Sequence, residues 1–215
     1  GPKGIKEVIN IQLKHSKSYV KFKIIFHELN STESELIFED EKVKVYTIPL
    51  NHRVYTNGFL FKEKEKSRKI NISAVKKFKE IDVCDYNNLK AGKDFKLDSG
   101  DVIKNSELTC NPEKAVSYAY CSDTSYKPSI IEIINGVDLL YHESTFLTDK
   151  EDLATKTGHS TAKQAATIAK KAKVKKLVLG HYSSRYKNIS LFKKEAQEVF
   201  KNVSLAETGR VFSSK

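Results

Sequence analysis

The sequence contains no methionine, only three cysteines and four prolines among 215 residues. It also has no apolar run near the roughly 20 residues that cross a bilayer. Each absence narrows the field. Cys84, Cys110 and Cys121 are odd in number and lack C-x-x-C spacing, which excludes a disulfide framework or a cysteine-built zinc knot and leaves reduced thiols. With neither an apolar span nor a charged-then-apolar leader, a soluble, cytoplasmic protein without a membrane partner is expected. The missing methionine and the glycine at position 1 lead us to expect that the chain begins inside its gene.

What is present is a 39% apolar chain long enough for one domain, which buries about 70% of the unfolded chain's surface. Thirty-eight Lys and Arg against 27 Asp and Glu leave a formal charge of +11. The excess lies in runs at residues 62–69 (KEKEKSRK), 76–79 (KKFK) and 170–176 (KKAKVKK). Such a field favours a polyanionic partner, although interspersed Lys and Glu read equally as a solvated surface.

Pro2 stands before Ile5, Val8, Ile9 and Leu13 at helical spacing, so residues 3–15 are expected to be an amphipathic helix. Alternation predicts strands at 19–26 (YVKFKIIF), 36–38, 43–49 and 58–61. Residues 62–100 turn Lys- and Asn-rich and are expected to be an inserted arm or long loop with a short helix at 74–78, not a second domain. An α/β pattern follows, with strands at 115–121, 137–142, 176–180 and 203–207. Helices are expected at 128–135, 148–156, 160–173 and 190–200.

Four polar positions fall where an apolar strand gives way to a loop: His52, Asp123, the His142-Glu143 pair and His181. Ligand sites of open α/β sheets lie at such carboxyl ends. Two imidazoles and a carboxylate suit a divalent ion such as Zn²⁺, although three ligands are too few for a two-metal site. Glu143 and His159 add proton-transfer groups. Ser160 or Thr161 can cap the next helix, whose free N–H groups would favour a phosphate oxygen near His159. In the loop HYSSRY at 181–186, Arg185 can grip phosphate through two bonds, and Tyr186 is expected to seal the core. A phosphodiester substrate fits the charge and this geometry.

The blocks GPKGIKE (1–7), YCSDT (120–124), DLLYHESTF (138–146), GHSTAKQAA (158–166) and LGHYSSRY (179–186) stand in that order. As an ordered set they resemble the C-terminal two-thirds of ribonuclease Z, the tRNA 3′-processing endonuclease family of the metallo-β-lactamase superfamily. The resemblance implies an α/β protein with a metallo-β-lactamase-like αββα sandwich, two zinc ions at the sheet edge, a homodimer, and precursor tRNA as substrate. Carried over by motif, His52, Asp123 and His181 would be metal ligands, with Asp123 bridging. His159 would donate a proton, oriented by Glu143, and Arg185 with Ser183 and Ser184 would hold RNA. The implied reaction is in-line hydrolysis at phosphorus 3′ to the discriminator nucleotide, leaving a 3′-hydroxyl on the tRNA and a 5′-phosphate on the trailer.

Three departures qualify the resemblance. The family's H-x-H-x-D-H segment, which should precede GPKG, is absent, so residues 1–215 by themselves are expected to be inactive. Ser122 stands where many relatives carry glycine. The 62–100 arm occupies the place of the family's tRNA-gripping element but keeps only LKAG at 89–92. The domain expectation is therefore one incomplete metallo-β-lactamase domain over 1–215 with an inserted tRNA-contacting arm. Two alternatives stay open: another phosphodiesterase or thioesterase of that fold, and a non-catalytic RNA-binding half that needs a partner.

Overall fold

Gly4 holds φ 93, a left-handed conformation that glycine adopts without steric cost, and turns the chain into α1 (Ile5–His15). No residue of α1 is buried, and Val8 and Ile11 remain about half exposed. The strand predicted at 19–26 does not form. A strand needs a ladder partner, and this stretch finds none; Tyr19, Phe22 and Ile25 stay exposed. The segment is tied at its far end instead, where Leu29 N donates to Gly1 O at 2.8 Å. The computed structural model describes residues 1–213.

β1 (Leu36–Glu39), β2 (Val43–Pro49) and β3 (Asn57–Glu63) follow. Contacts then divide the chain: Gly1–Lys62 with Val116 onward form one unit, and Glu63–Ala115 a second. The second unit reaches past the predicted arm of 62–100 and owns a small core of Val75, Ile81, Leu89 and Leu108. Its elements are short: β4 (Lys69–Ile70), α2 (Ile72–Val75), α3 (Tyr86–Lys90), β5 (Phe95–Lys96), β6 (Val102–Ile103), α4 (Asn105–Leu108) and β7 (Thr109–Cys110). Buried Asn105 ties them, its Nδ2 donating to Leu89 O and Lys93 O, both at 2.8 Å. In this unit twelve Lys and Arg stand against ten Asp and Glu, so most of the excess positive charge lies in the first unit.

The first unit continues with β8 (Ser117–Cys121), β9 (Leu139–Glu143), α5 (Glu151–Thr157), α6 (Ala162–Lys171), β10 (Lys176–Gly180), α7 (Ser190–Gln197) and β11 (Val203–Leu205). Its mixed sheet of seven strands runs β1-β2-β3-β8-β9-β10-β11. β8, β9, β10 and β11 are mutually parallel, and β8 pairs antiparallel to β3. Parallel neighbours place His142 opposite Cys121 and Glu143 opposite Gly180, gathering the polar ends of three strands at one edge.

One face of this sheet is covered by α6 and α7. Ala162, Ala165, Ala166 and Ala169 repeat at helical spacing and are wholly buried, because small side chains let the α6 backbone approach the sheet. Phe192 of α7 fills the same core. The helix predicted at 128–135 reduces to a 3₁₀ turn, Pro128–Ile130, and further turns. Ile130 and Ile134 are buried as the helical spacing required, but the β-branched run of Ile130, Ile131, Ile133 and Ile134 lowers helix propensity. The opposite face carries Phe61, Tyr118, Tyr120, Leu139, Tyr141 and Val178. Phe61 stacks on Tyr118 at 5.9 Å and Tyr120 on Tyr141 at 4.8 Å. No helix of the described residues is long and apolar enough to cross a membrane.

Candidate metal centre and acid–base pair

The strand ends assemble a cluster. Asp123 follows β8, His181 follows β10, and His159 follows α5; each offers one ligand atom, all within 4.8 Å of one another. His181 adopts φ 59, a left-handed conformation that costs a non-glycine residue of order 1 kcal/mol, and so turns its ring toward Asp123. His181 Nε2 lies 3.5 Å from Asp123 Oδ1. Burial raises the Asp123 carboxyl, but the charges of His181 and His159 and a bond from Ser122 outweigh it, and the net direction is down.

Glu143 is wholly buried, and all four of its lone-pair positions are used. Oε1 accepts from Thr124 N at 3.0 Å and His159 Nδ1 at 2.8 Å. Oε2 accepts from Thr145 N at 2.9 Å and Thr145 Oγ1 at 2.8 Å. Burial pushes this carboxyl up, yet the bonds from His159, Thr124 and Thr145 hold it below its ordinary value. His159 moves the other way: the bond to Glu143 raises it, against partial burial and the nearby Arg53 charge.

His52 lies beside this cluster. Its ring centroid is 5.2 Å from that of His159, and its Nδ1 donates to Gly158 O at 2.9 Å, leaving Nε2 with a lone pair. Gly158 closes α5 at φ 76, and a Cβ there would stand 2.7 Å from His52 Nδ1. The close group thus includes His159, expected as a proton donor, and has His52, expected as a ligand, packed against it. Thr124, Thr145, Gly158 and Arg53 were not singled out by sequence. Only their places one or two residues from Asp123, Glu143, His159 and His52 hinted at them.

His142 departs from its grouping with Glu143. It is buried, its Nδ1 donates to Glu143 O at 2.7 Å, and burial lowers its basicity, so it remains neutral inside the core. Its Nε2 has no partner among the described residues. The expected phosphate seat at the start of α6 is also absent, because its N–H groups are already bonded. Thr161 N and Gln164 N form a reciprocal cap, Ala162 N donates to Phe146 O, and Lys163 N to Glu195 Oε1.

The cluster opens into a cleft of about 660 Å³ lined by His52, Arg53, Asp123, Lys156, His159 and His181 among others. Arg53 and Lys156 supply its cations. Arg185 and Ser184 are exposed, whereas Ser183 is buried and its Oγ accepts from Arg185 Nη1 at 3.3 Å. Tyr186 seals the loop: its hydroxyl donates to Asp149 at 2.9 Å and its ring meets Phe192 edge-on at 5.0 Å.

The mixed sheet, with histidine and carboxylate side chains gathered at its strand ends, has the metallo-β-lactamase fold, as comparisons with known proteins show. The model of the beta-lactamase superfamily domain matches residues 104–182. Ribonuclease Z of Cytophaga hutchinsonii is 46% identical over 213 residues, covering 99% of this chain and 67% of that protein. Ribonuclease Z of Bacteroides fragilis is 42% identical over 206 residues, covering 96% and 67%. The crystal structure of the short form of human tRNase Z superposes at TM-score 0.66 with 25% identity, covering all of this chain and 66% of that one. The metallo-β-lactamase-fold protein YhfI of Bacillus subtilis matches in fold at TM-score 0.57 and 19% identity, over 94% of this chain and 61% of that one. The chain belongs to the ribonuclease Z family. It spans about two thirds of the length of the relatives it matches.

Proposed function

We propose that this chain serves in zinc-dependent endonucleolytic removal of the 3′ trailer from precursor tRNA, leaving a tRNA 3′-hydroxyl and a 5′-phosphorylated trailer. The observation that carries this reading is the Asp123–His159–His181 cluster with His159 held by fully buried Glu143.

The His181 imidazole and the Asp123 carboxylate, with the His52 imidazole nearby, are a donor set that zinc accepts. Asp123 and His181 would hold the ion, with His52 as the adjoining ligand. Zinc in this place supplies Lewis-acid polarisation of a phosphoryl oxygen and lowers the pKa of water. His159 is suited to a different task, because its contact with Glu143 favours the charged imidazolium, which is a poor ligand and a ready proton donor. It would protonate the departing 3′ oxygen from Nε2, while Glu143 fixes Nδ1–H. Arg53 and Lys156 along the cleft, and exposed Arg185 with Ser184, would grip flanking phosphates. The lysine-bearing unit Glu63–Ala115 would add contacts to the tRNA body, and a homodimer is proposed on the resemblance alone. A second zinc needs ligands beyond these, for which the resemblance points to an H-x-H-x-D-H segment.

The test uses the natural protein that contains this chain, with precursor tRNA labelled in its trailer. Cleavage immediately 3′ to the discriminator nucleotide, lost on chelation and restored by zinc, is expected. Zinc-loaded protein that binds precursor tRNA and leaves it intact would sink the reading.

A further inference from the structure

Thr145 joins two parts of the site that share no direct contact. Its Oγ1 lies 2.8 Å from Glu143 Oε2 and 2.8 Å from His181 Nδ1. A threonine hydroxyl has one proton to give and lone pairs to receive. Glu143 is buried, accepts at every position and sits below its ordinary pKa, so it has no proton for this contact. Two oxygens at 2.8 Å share a hydrogen only if one supplies it, and here that oxygen is Thr145 Oγ1. The hydroxyl is then spent on Glu143, and toward His181 it can only accept. When its imidazole is neutral, His181 therefore carries its proton on Nδ1 and a bare lone pair on Nε2.

That lone pair faces another. His181 Nε2 is 3.5 Å from Asp123 Oδ1, and neither atom has a hydrogen to offer the other when the imidazole is neutral. Without Thr145 the favoured arrangement is the reverse, with Nε2–H pointing at the carboxylate. We propose that Thr145 is a positioning residue: it relays the charge of Glu143 to His181 and holds that histidine in the Nδ1–H tautomer, so that Nε2 and Asp123 together form a cation-binding pair. Glu143 thus sets two histidines at once, His159 by direct contact and His181 through one hydroxyl. The partners of metal-bound histidines act in this way generally, and their loss typically costs 10–100-fold in metal affinity.

The tautomer stands on hydrogen-bond geometry, whereas its consequence for zinc rests on the metal reading above, so the two are measured separately. Long-range ¹H–¹⁵N correlation on the metal-free 215-residue chain, at a pH where the imidazoles are neutral, reads the tautomer directly. Wild type and Thr145→Ser should show Nδ1–H at His181, and Thr145→Val should shift it to Nε2–H or a mixture. Calorimetric titration with zinc alone should show Thr145→Ser within a few-fold of wild type and Thr145→Val weaker by about 10–100-fold. Nε2–H at His181 in the wild type overturns the proposal whether or not the valine variant folds. So does retention of Nδ1–H in a folded Thr145→Val. A wild type with Nδ1–H that binds no zinc keeps the tautomer and removes the metal reading instead.

Discussion

His159 Nδ1 lies 2.8 Å from Glu143 Oε1, a carboxylate oxygen with no access to solvent. Glu143 is held below its ordinary pKa, so its contribution to stability is present above the unfolded value of about 4.3 and is lost as pH falls through the folded value. His159 is held above its ordinary value, so its contribution is full below about 6.5 and is lost as pH rises through the folded value. The melting temperature of the metal-free chain should therefore be highest between about pH 5 and 6, as far as this pair decides it. Glu143→Gln should cost about 3 kcal/mol and flatten both limbs, because the amide loses the charge and its NH2 replaces one acceptor oxygen, facing either Thr124 N–H or Thr145 N–H donor to donor. An unchanged pH profile in Glu143→Gln would contradict the pairing.

Asp123 and His159 should separate by zinc content. Asp123→Ala in the natural protein is expected to remove most bound zinc and turnover together. His159→Ala is expected to keep most of the zinc and lose turnover, since its Nδ1 is engaged by Glu143, which raises its pKa toward a proton-donating role. Metal analysis on both variants decides, and loss of zinc in His159→Ala would make it a ligand.

At Gly158 two constraints coincide, a left-handed φ of 76 and a Cβ position 2.7 Å from His52 Nδ1. Gly158→Ala should cost about 1–2 kcal/mol in denaturant unfolding and displace the His52 ring. A variant with wild-type stability and unchanged His52 resonances would show that the contact relaxes freely.

Phosphate gripping by Arg185 and Arg53 has a salt signature. Each substitution to Ala should weaken RNA binding and reduce the slope of log affinity against log salt by about 1. Weaker binding with an unaltered slope would assign the loss to misfolding of the loop rather than to a phosphate contact.

The alanine face of α6 leaves no spare volume. Ala165→Leu, at a site with no solvent exposure, should cost about 1–3 kcal/mol by overpacking, measured by denaturant unfolding. A neutral result would mean that α6 lies less tightly on the sheet than its burial implies.

Much of this was legible in sequence because parallel strands flanked by helices announce themselves. Residues 176–180 and 43–49 form strands with the predicted bounds, and Asp123, Glu143 and His181 fall at strand ends as the pattern required. Residues 19–26 misled because alternation reports what a strand wants to bury, not whether a neighbour exists to pair with it. The α6 N-terminus misled for a related reason: Phe146 and Glu195, which occupy its N–H groups, are distant in sequence. The role of His142 was hidden by its neighbour, since a side chain one residue from Glu143 points to the other side of the strand. Thr145 looks like any loop threonine until its hydroxyl is seen between Glu143 and His181.

The aromatic face of the sheet has an optical consequence. The chain has no tryptophan, so its ultraviolet emission comes from ten tyrosines. Tyr118, Tyr120 and Tyr141 are clustered there, and burial pushes the Tyr118 phenol up to about 12. β8 and β9 display these rings at mid-strand and lead, at their carboxyl ends, to Asp123 and Glu143. Any surface laid over the rings would register as a change in tyrosine fluorescence, and a tryptophan in that surface would draw their energy away. The sheet therefore carries an intrinsic reporter on the same strands that build the site.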